Sequence, residues 1–187
     1  MSEPSYFDNQ IAASKLRKEA LSWIGTPFRE LTGIDKDADL NDLKGPGGGI
    51  DCIGLVHQIF YRIEATHKWT FPRELSDYNY NDLGGRFLQW LRGEIDDPRS
   101  KMLAQILTEL KVPDAVTEID AECPRDFFKP GDVLVLKHAS LYHMPVIYDN
   151  DLHFINALPR IGVVEGTIQD STYSSHLVAV FRLKPKQ

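Results

Sequence analysis

Two cysteines, Cys52 and Cys123, occur in 187 residues, so one bridge at most is possible and a disulfide framework is excluded. Their settings differ, and two free thiols in a reducing compartment is the simpler reading. No apolar run approaches the ~20 residues that a membrane-crossing helix needs. The opening residues, Met1-Ser2-Glu3-Pro4-Ser5-Tyr6, lack the basic-then-apolar order of a secretory signal, which points to a cytoplasmic location. A basic excess is missing as well: 21 Lys and Arg stand against 27 Asp and Glu, for a net charge of −6. That balance carries no footprint for nucleic acid and no polybasic patch for an anionic membrane. A metal-binding pattern is also absent. No two histidines have the spacing of a zinc-binding helix, Cys123 has no CxxC partner, and the aspartates from Asp35 to Asp42 lack the full EF-hand pattern. The expectation is no metal and no cofactor.

What remains is an ordinary globular composition, 42% hydrophobic and 26% charged, without repeats or low-complexity tracts. The length suits one domain with a sizeable core, spanning 1–187. Residues 8–24 read as a helix, because Leu16, Ala20 and Ile24 share a face and Gly25-Thr26-Pro27 stops it. Residues 29–50 form a polar, irregular loop that ends in Gly45-Pro46-Gly47-Gly48-Gly49. The clearest helix starts at Cys52: Cys52, Leu55, Val56, Ile59, Phe60 and Ile63 follow the helical period, with Asp51 at the N-cap position. A mainly helical insertion is expected over about 64–126, one piece around Phe87–Leu91 and another around Met102–Leu110. Strands follow at 132–136, 145–148, 153–157, 162–165 and 177–183, with Asp149-Asn150-Asp151 as a hairpin turn. Helices first and an antiparallel meander afterwards make the fold α+β, with the Cys52 helix laid against a sheet.

Cys52 opens its helix, so backbone N–H groups and the positive end of the macrodipole lie beside the sulfur and favour thiolate, the attacking species. The preceding glycines would let a substrate backbone come close. A base is needed as well. His143 begins a strand, and Asn156 across the hairpin is placed to orient its ring. The residues alone leave a second reading open, since Cys52 lies on the apolar stripe of its own helix and cysteine is among the most buried residue types. The remaining histidines, His57, His67, His138, His153 and His176, read as surface or structural residues.

Five segments in order resemble the NlpC/P60 family. Gly49-Ile50-Asp51-Cys52-Ile53-Gly54-Leu55-Val56 is similar to its nucleophile motif, D-C-S-G-L-V, and Trp23-Ile24-Gly25-Thr26-Pro27-Phe28 to its G-T-P-Y segment. Lys129-Pro130-Gly131-Asp132-Val133-Leu134 resembles its P-G-D-L-V strand. The hairpin His143 to Ala157 resembles its H-V-G-I-Y…F-I-H-A block, and Gly162-Val163-Val164 the element after it. The wording around Cys52, with Val178-Ala179-Val180-Phe181-Arg182, looks most like the branch found in phage tails and phage-like particles.

The resemblance implies a papain-like fold in which a thiolate attacks an amide carbonyl of bacterial cell-wall peptides, forming a thioester. By position Cys52 is the nucleophile, His143 the base and Asn156 the orienting residue. The backbone N–H of Cys52 would meet the oxyanion. Asp51, Phe28 and Ile53 fall where substrate contacts are expected, with Phe28 replacing the family's tyrosine and Ile53 its serine. The hairpin is one residue longer than the pattern: anchored on Tyr148, it brings Met144 rather than His143 to the histidine position, unless a bulge at Pro145 restores the phase. His138 is the reserve base. The implied partners are peptidoglycan-derived peptides and phage tail proteins, and the implied location is the cytoplasm or a phage tail. Two other functions stay open: a catalytically silent structural or binding module, and an acyltransferase using the same thiol.

Overall fold

A computed structural model describes residues 4–30, 40–63, 116–119, 121–122, 125–138 and 141–185. Most of the expected insertion, with both of its helical pieces, lies outside the described residues, and so does Cys123. The described chain mixes helices with an antiparallel sheet, which makes the fold α+β.

Helix α1 spans Gln10–Leu21, and the Asn9 side chain caps it by accepting from the N–H groups of Ile11 and Ala12. It stops three residues short of the expected end. Leu16 and Ala20 are buried as the spacing requires, whereas Ile24 falls beyond the helix and is 47% exposed. A short helix α2, Leu40–Leu43, interrupts the stretch expected to be irregular. Helix α3, Cys52–Arg62, matches its sequence pattern: Cys52, Leu55, Val56, Ile59, Phe60 and the following Ile63 are all buried. Among the described residues no helix is long and apolar enough to cross a membrane.

The described residues hold seven strands: β1 (Val116–Ile119), β2 (Val133–His138), β3 (Leu141–His143), β4 (Val146–Ile147), β5 (His153–Leu158), β6 (Gly162–Thr167) and β7 (Leu177–Leu183). They form one antiparallel sheet in the order β1-β7-β2-β4-β5-β6, with β3 also paired to β2. β1 lies inside the region expected to be helical. Its four residues hold a strand conformation by pairing with β7, from Val116↔Leu183 to Ile119↔Val180, an interaction that the local composition does not announce. A one-turn helix α4, Ser171–Ser174, precedes β7 and is capped by Asp170.

Both faces of the sheet are covered. Val133, Val135, Val146, Ile155, Ala157, Val163, Ala179 and Phe181 pack into one core with α1 and α3. The alternate residues Leu134, Leu136, Ile147, Phe154 and Val180 pack into a second core with Phe128, Leu152 and Ile168. Two-sided burial explains why 133–136 and 177–181 read as continuous apolar runs rather than alternating ones.

The second face also holds a buried ion pair. Arg182 Nε donates to Asp132 Oδ1 (2.8 Å) and its Nη2 to Oδ2 (2.7 Å), and both side chains are fully buried. Arg182 Nη2 also donates to the Phe127 carbonyl, and Asp132 Oδ2 accepts from the Lys129 N–H. The fork ties β7 to the start of β2 and closes off the charge of each partner. Removing one partner leaves the other buried without the counter-charge of the fork. Arg182→Met is therefore expected to cost about 3–5 kcal/mol in urea denaturation, and Asp132→Leu combined with Arg182→Met distinctly less. A single variant as stable as the unaltered protein would contradict this account.

Candidate active site

Asp51 precedes α3 in an extended conformation, and its carboxylate accepts a 2.6 Å hydrogen bond from the N–H of Gly54. This cap fixes Cys52 as the first helical residue. The thiol is 1% exposed and belongs to the apolar core between α3 and the sheet. Two influences act on it in opposite directions. The helix N-terminus favours thiolate, while the Asp51 carboxylate next to it and the apolar surroundings oppose a second negative charge.

The chain leading to Cys52 is tied to one end of the sheet. Ile50 bridges Phe28 in parallel, its N–H donating to the Pro27 carbonyl. Thr26 in turn accepts from the N–H of Val163 at 2.7 Å, and Val163 is the register partner of Ala157. The start of α3 is thus anchored beside the end of β5 that carries Asn156. Of the glycines before Cys52, Gly45 and Gly47 face open space, whereas Gly48 and Gly49 lie against the chain itself. A Cβ on Gly48 would meet the Leu43 backbone at 2.3 Å, and one on Gly49 would meet Arg29 at 2.6 Å. At those two positions the room is used by the chain itself. Asp51 and Ile53, expected as substrate contacts, are buried at 1% and 8% exposure, and Phe28 is half-buried against the core.

The register of β2 with β3 and β4 decides which residue faces the thiol. Leu136 pairs with His143, and Val133 pairs with Val146. Equal numbers of residues separate these pairs on the two strands, so Leu134 falls opposite Pro145 and Val135 opposite Met144. Leu134 N–H donates to the Pro145 carbonyl and Ile147 N–H to the Asp132 carbonyl, both at 2.9 Å, as an uninterrupted ladder requires. β3 and β4 are therefore two parts of one strand. They are separated only because Pro145 has no N–H to complete its rung. No bulge shifts the phase.

Alternation then assigns the faces. Met144, opposite Val135, packs into the core that holds Cys52. His143, opposite Leu136, belongs to the other face. The β4–β5 register, Val146↔Ile155 and Ile147↔Phe154, continued by one residue sets Asn156 opposite Pro145, on the same face as His143. The structure brings Cys52, His143 and Asn156 to one end of the sheet and places His143 with Asn156. It does not place either on the side of the thiol. The signal for this was the four-residue interval from Met144 to Tyr148, together with a proline that removes a rung without inserting a residue.

His143 and Asn156 still have the marks of a site. Asn156 is 1% exposed with neither amide atom hydrogen-bonded, and His143 Nδ1 is buried without a partner. Each such group costs about 1–3 kcal/mol, a penalty met in folded proteins where a ligand or water supplies the partner. Burial, and next the charge of nearby His138, push the His143 imidazole below its ordinary value. It is therefore neutral at pH 7, the form a general base must have.

Asp51→Asn keeps a capping oxygen and removes the charge beside the thiol. It is expected to raise the rate of Cys52 alkylation by iodoacetamide several-fold at pH 7.5, followed by mass spectrometry of the Cys52 peptide. An unchanged or slower rate would mean that the carboxylate does not hold the thiol protonated. No family model matches the chain, and no curated protein matches it.

Proposed function

We propose that this chain is a cysteine amidase of the NlpC/P60 type, with a papain-like arrangement of helix and sheet. It would cut amide bonds in bacterial cell-wall peptides through a thioester on Cys52. The observation that carries the reading is the placement of Cys52 as the capped first residue of a helix lying on an antiparallel sheet. The neutral imidazole of His143 and the unpartnered amide of Asn156 lie at that same end of the sheet. In the reaction the thiolate adds to the carbonyl carbon, and the amine leaves with a proton. Water then hydrolyses the thioester, releasing the acid and restoring the thiol. Bringing the imidazole to the thiol requires the strand carrying His143 to present its other face, a one-residue slip of β3–β4 along β2. The rung missing at Pro145 lowers the number of ladder bonds such a slip must break.

The register itself favours a second reading. With Met144 against the helix and Cys52 closed off at 1% exposure, the chain would be a silent module. It would keep the fold for structural or binding purposes within a phage-like particle.

Muropeptide digestion followed by mass spectrometry separates the two. The amidase releases peptide fragments, and Cys52→Ala lowers the release by at least about 10³-fold. The exchange His143→Met with Met144→His moves the imidazole to the thiol's face and is expected to retain or raise turnover, whereas His143→Met alone abolishes it. No fragment from any cell-wall peptide, in the unaltered or the exchanged protein, would leave the silent module standing.

A further inference from the structure

Two histidines far apart in the chain meet at the end of β2. His138 closes β2 and His176 precedes β7, where the Lys137 N–H donates to the His176 carbonyl at 2.8 Å. The His138 Nδ1 and His176 Nε2 atoms are 3.1 Å apart; His138 is exposed and His176 is half-buried. The second nitrogen of His176, Nδ1, lies 2.6 Å from the Thr172 carbonyl and 3.2 Å from the Ser175 hydroxyl. A carbonyl oxygen only accepts, so Nδ1 carries the proton and the lone pair on Nε2 faces His138.

Ring geometry bears on what this pair can hold. The ring centroids are 4.8 Å apart and the planes are inclined by 52°. Each nitrogen sits about 1.15 Å from its ring centre, so a straight N–H···N bond of this length would hold the centroids about 5.4 Å apart. The rings are instead inclined off that straight line. A metal bound by both nitrogens at about 2.05 Å, with an N–metal–N angle near 98°, requires a centroid separation of about 4.8 Å. The observed separations of the two nitrogens and of the two ring centres match that chelate geometry.

We propose that His138 and His176 form a two-histidine chelate for a borderline divalent transition metal such as Ni²⁺, Co²⁺, Cu²⁺ or Zn²⁺. His176 ligates through Nε2 while Thr172 fixes its tautomer from behind, the usual support for a metal-bound imidazole. His138 ligates through Nδ1 in the tautomer that keeps its proton on Nε2. Among the described residues, only Asp149, Asp151 and His153 bring three ligand atoms within 4.8 Å of one another. There the Asp149 carboxylate is already engaged by the N–H groups of Asp151 and His153 and by the His153 ring. The chelate is accordingly a pair, with solvent in the remaining positions. Nothing in it depends on the chemistry assigned to Cys52.

The test is calorimetric titration of the tag-free full chain with NiCl₂, CoCl₂ and ZnCl₂ in a non-coordinating buffer. One saturable site is expected, with Ni²⁺ bound more tightly than Co²⁺. Affinity should fall at least 10-fold in His138→Ala and in His176→Ala and stay unchanged in His153→Ala. His138→Gln, which retains a hydrogen-bonding side chain at the strand end, should lose affinity to the same degree while its circular dichroism matches the parent. The proposal is overturned by the absence of a saturable site, by affinity that survives both alanine substitutions, or by loss of the site in His153→Ala.

Discussion

The period-two alternation of β2 against its neighbour strand governs what can meet what in this protein. Pairing of Leu136 with His143 and of Val133 with Val146 holds the two strands in one register. Pro145, which removes a hydrogen bond without adding a residue, leaves that register intact. Once the phase is set, Met144, Val146 and the partners of Val146 on β5 belong to the face under α3. His143, Ile147 and Asn156 belong to the other. A shift of a single residue would exchange these sets. The chemistry open to Cys52 therefore depends on a ladder in which the thiol itself takes no part.

The two faces differ in kind. The face under α1 and α3 is a continuous apolar core whose main nucleophilic group is the Cys52 thiol. The opposite face carries a smaller apolar core together with the polar groups of the sheet. These are the Asp132–Arg182 fork, the unpartnered atoms of His143 and Asn156, and the joined rings of His138 and His176. Along this face His138, His143 and Asn156 fall on successive strands, from β2 across β3 to β5, and His176, just ahead of β7, reaches the His138 ring. The row passes from the exposed His138 ring to buried groups. This grading explains why the charge of His138 bears on His143, whose burial already disfavours protonation.

Much of this architecture was legible in the chain. The spacing from Cys52 to Ile63 specified a helix with one buried face. Asp51 was recognisable as its cap, since a carboxylate at that position can satisfy an otherwise unpaired N–H. The strands from Val133 onward and the Asp149–Asp151 turn were readable from apolar runs and turn residues. β1, α2 and α4 were not: four-residue elements carry too little periodicity, and β1 takes its conformation from β7. In the glycine run before Cys52, the bare Cα of Gly48 and Gly49 serves the approach of Leu43 and Arg29, which spacing alone does not reveal, while Gly45 and Gly47 face open space.

The amino-acid sequence by itself determined the types and order of the longer elements, the placement of a cysteine at the mouth of a capped helix, and the presence of His143 and Asn156 on one hairpin. These follow from interactions over a few residues, which spacing and composition report directly. Only the tertiary structure decided that Met144 rather than His143 looks toward α3, and that His138 and His176 share a site. Both outcomes depend on hydrogen-bond ladders between distant strands. A strand alone has two equivalent faces, and only its partner's register tells them apart.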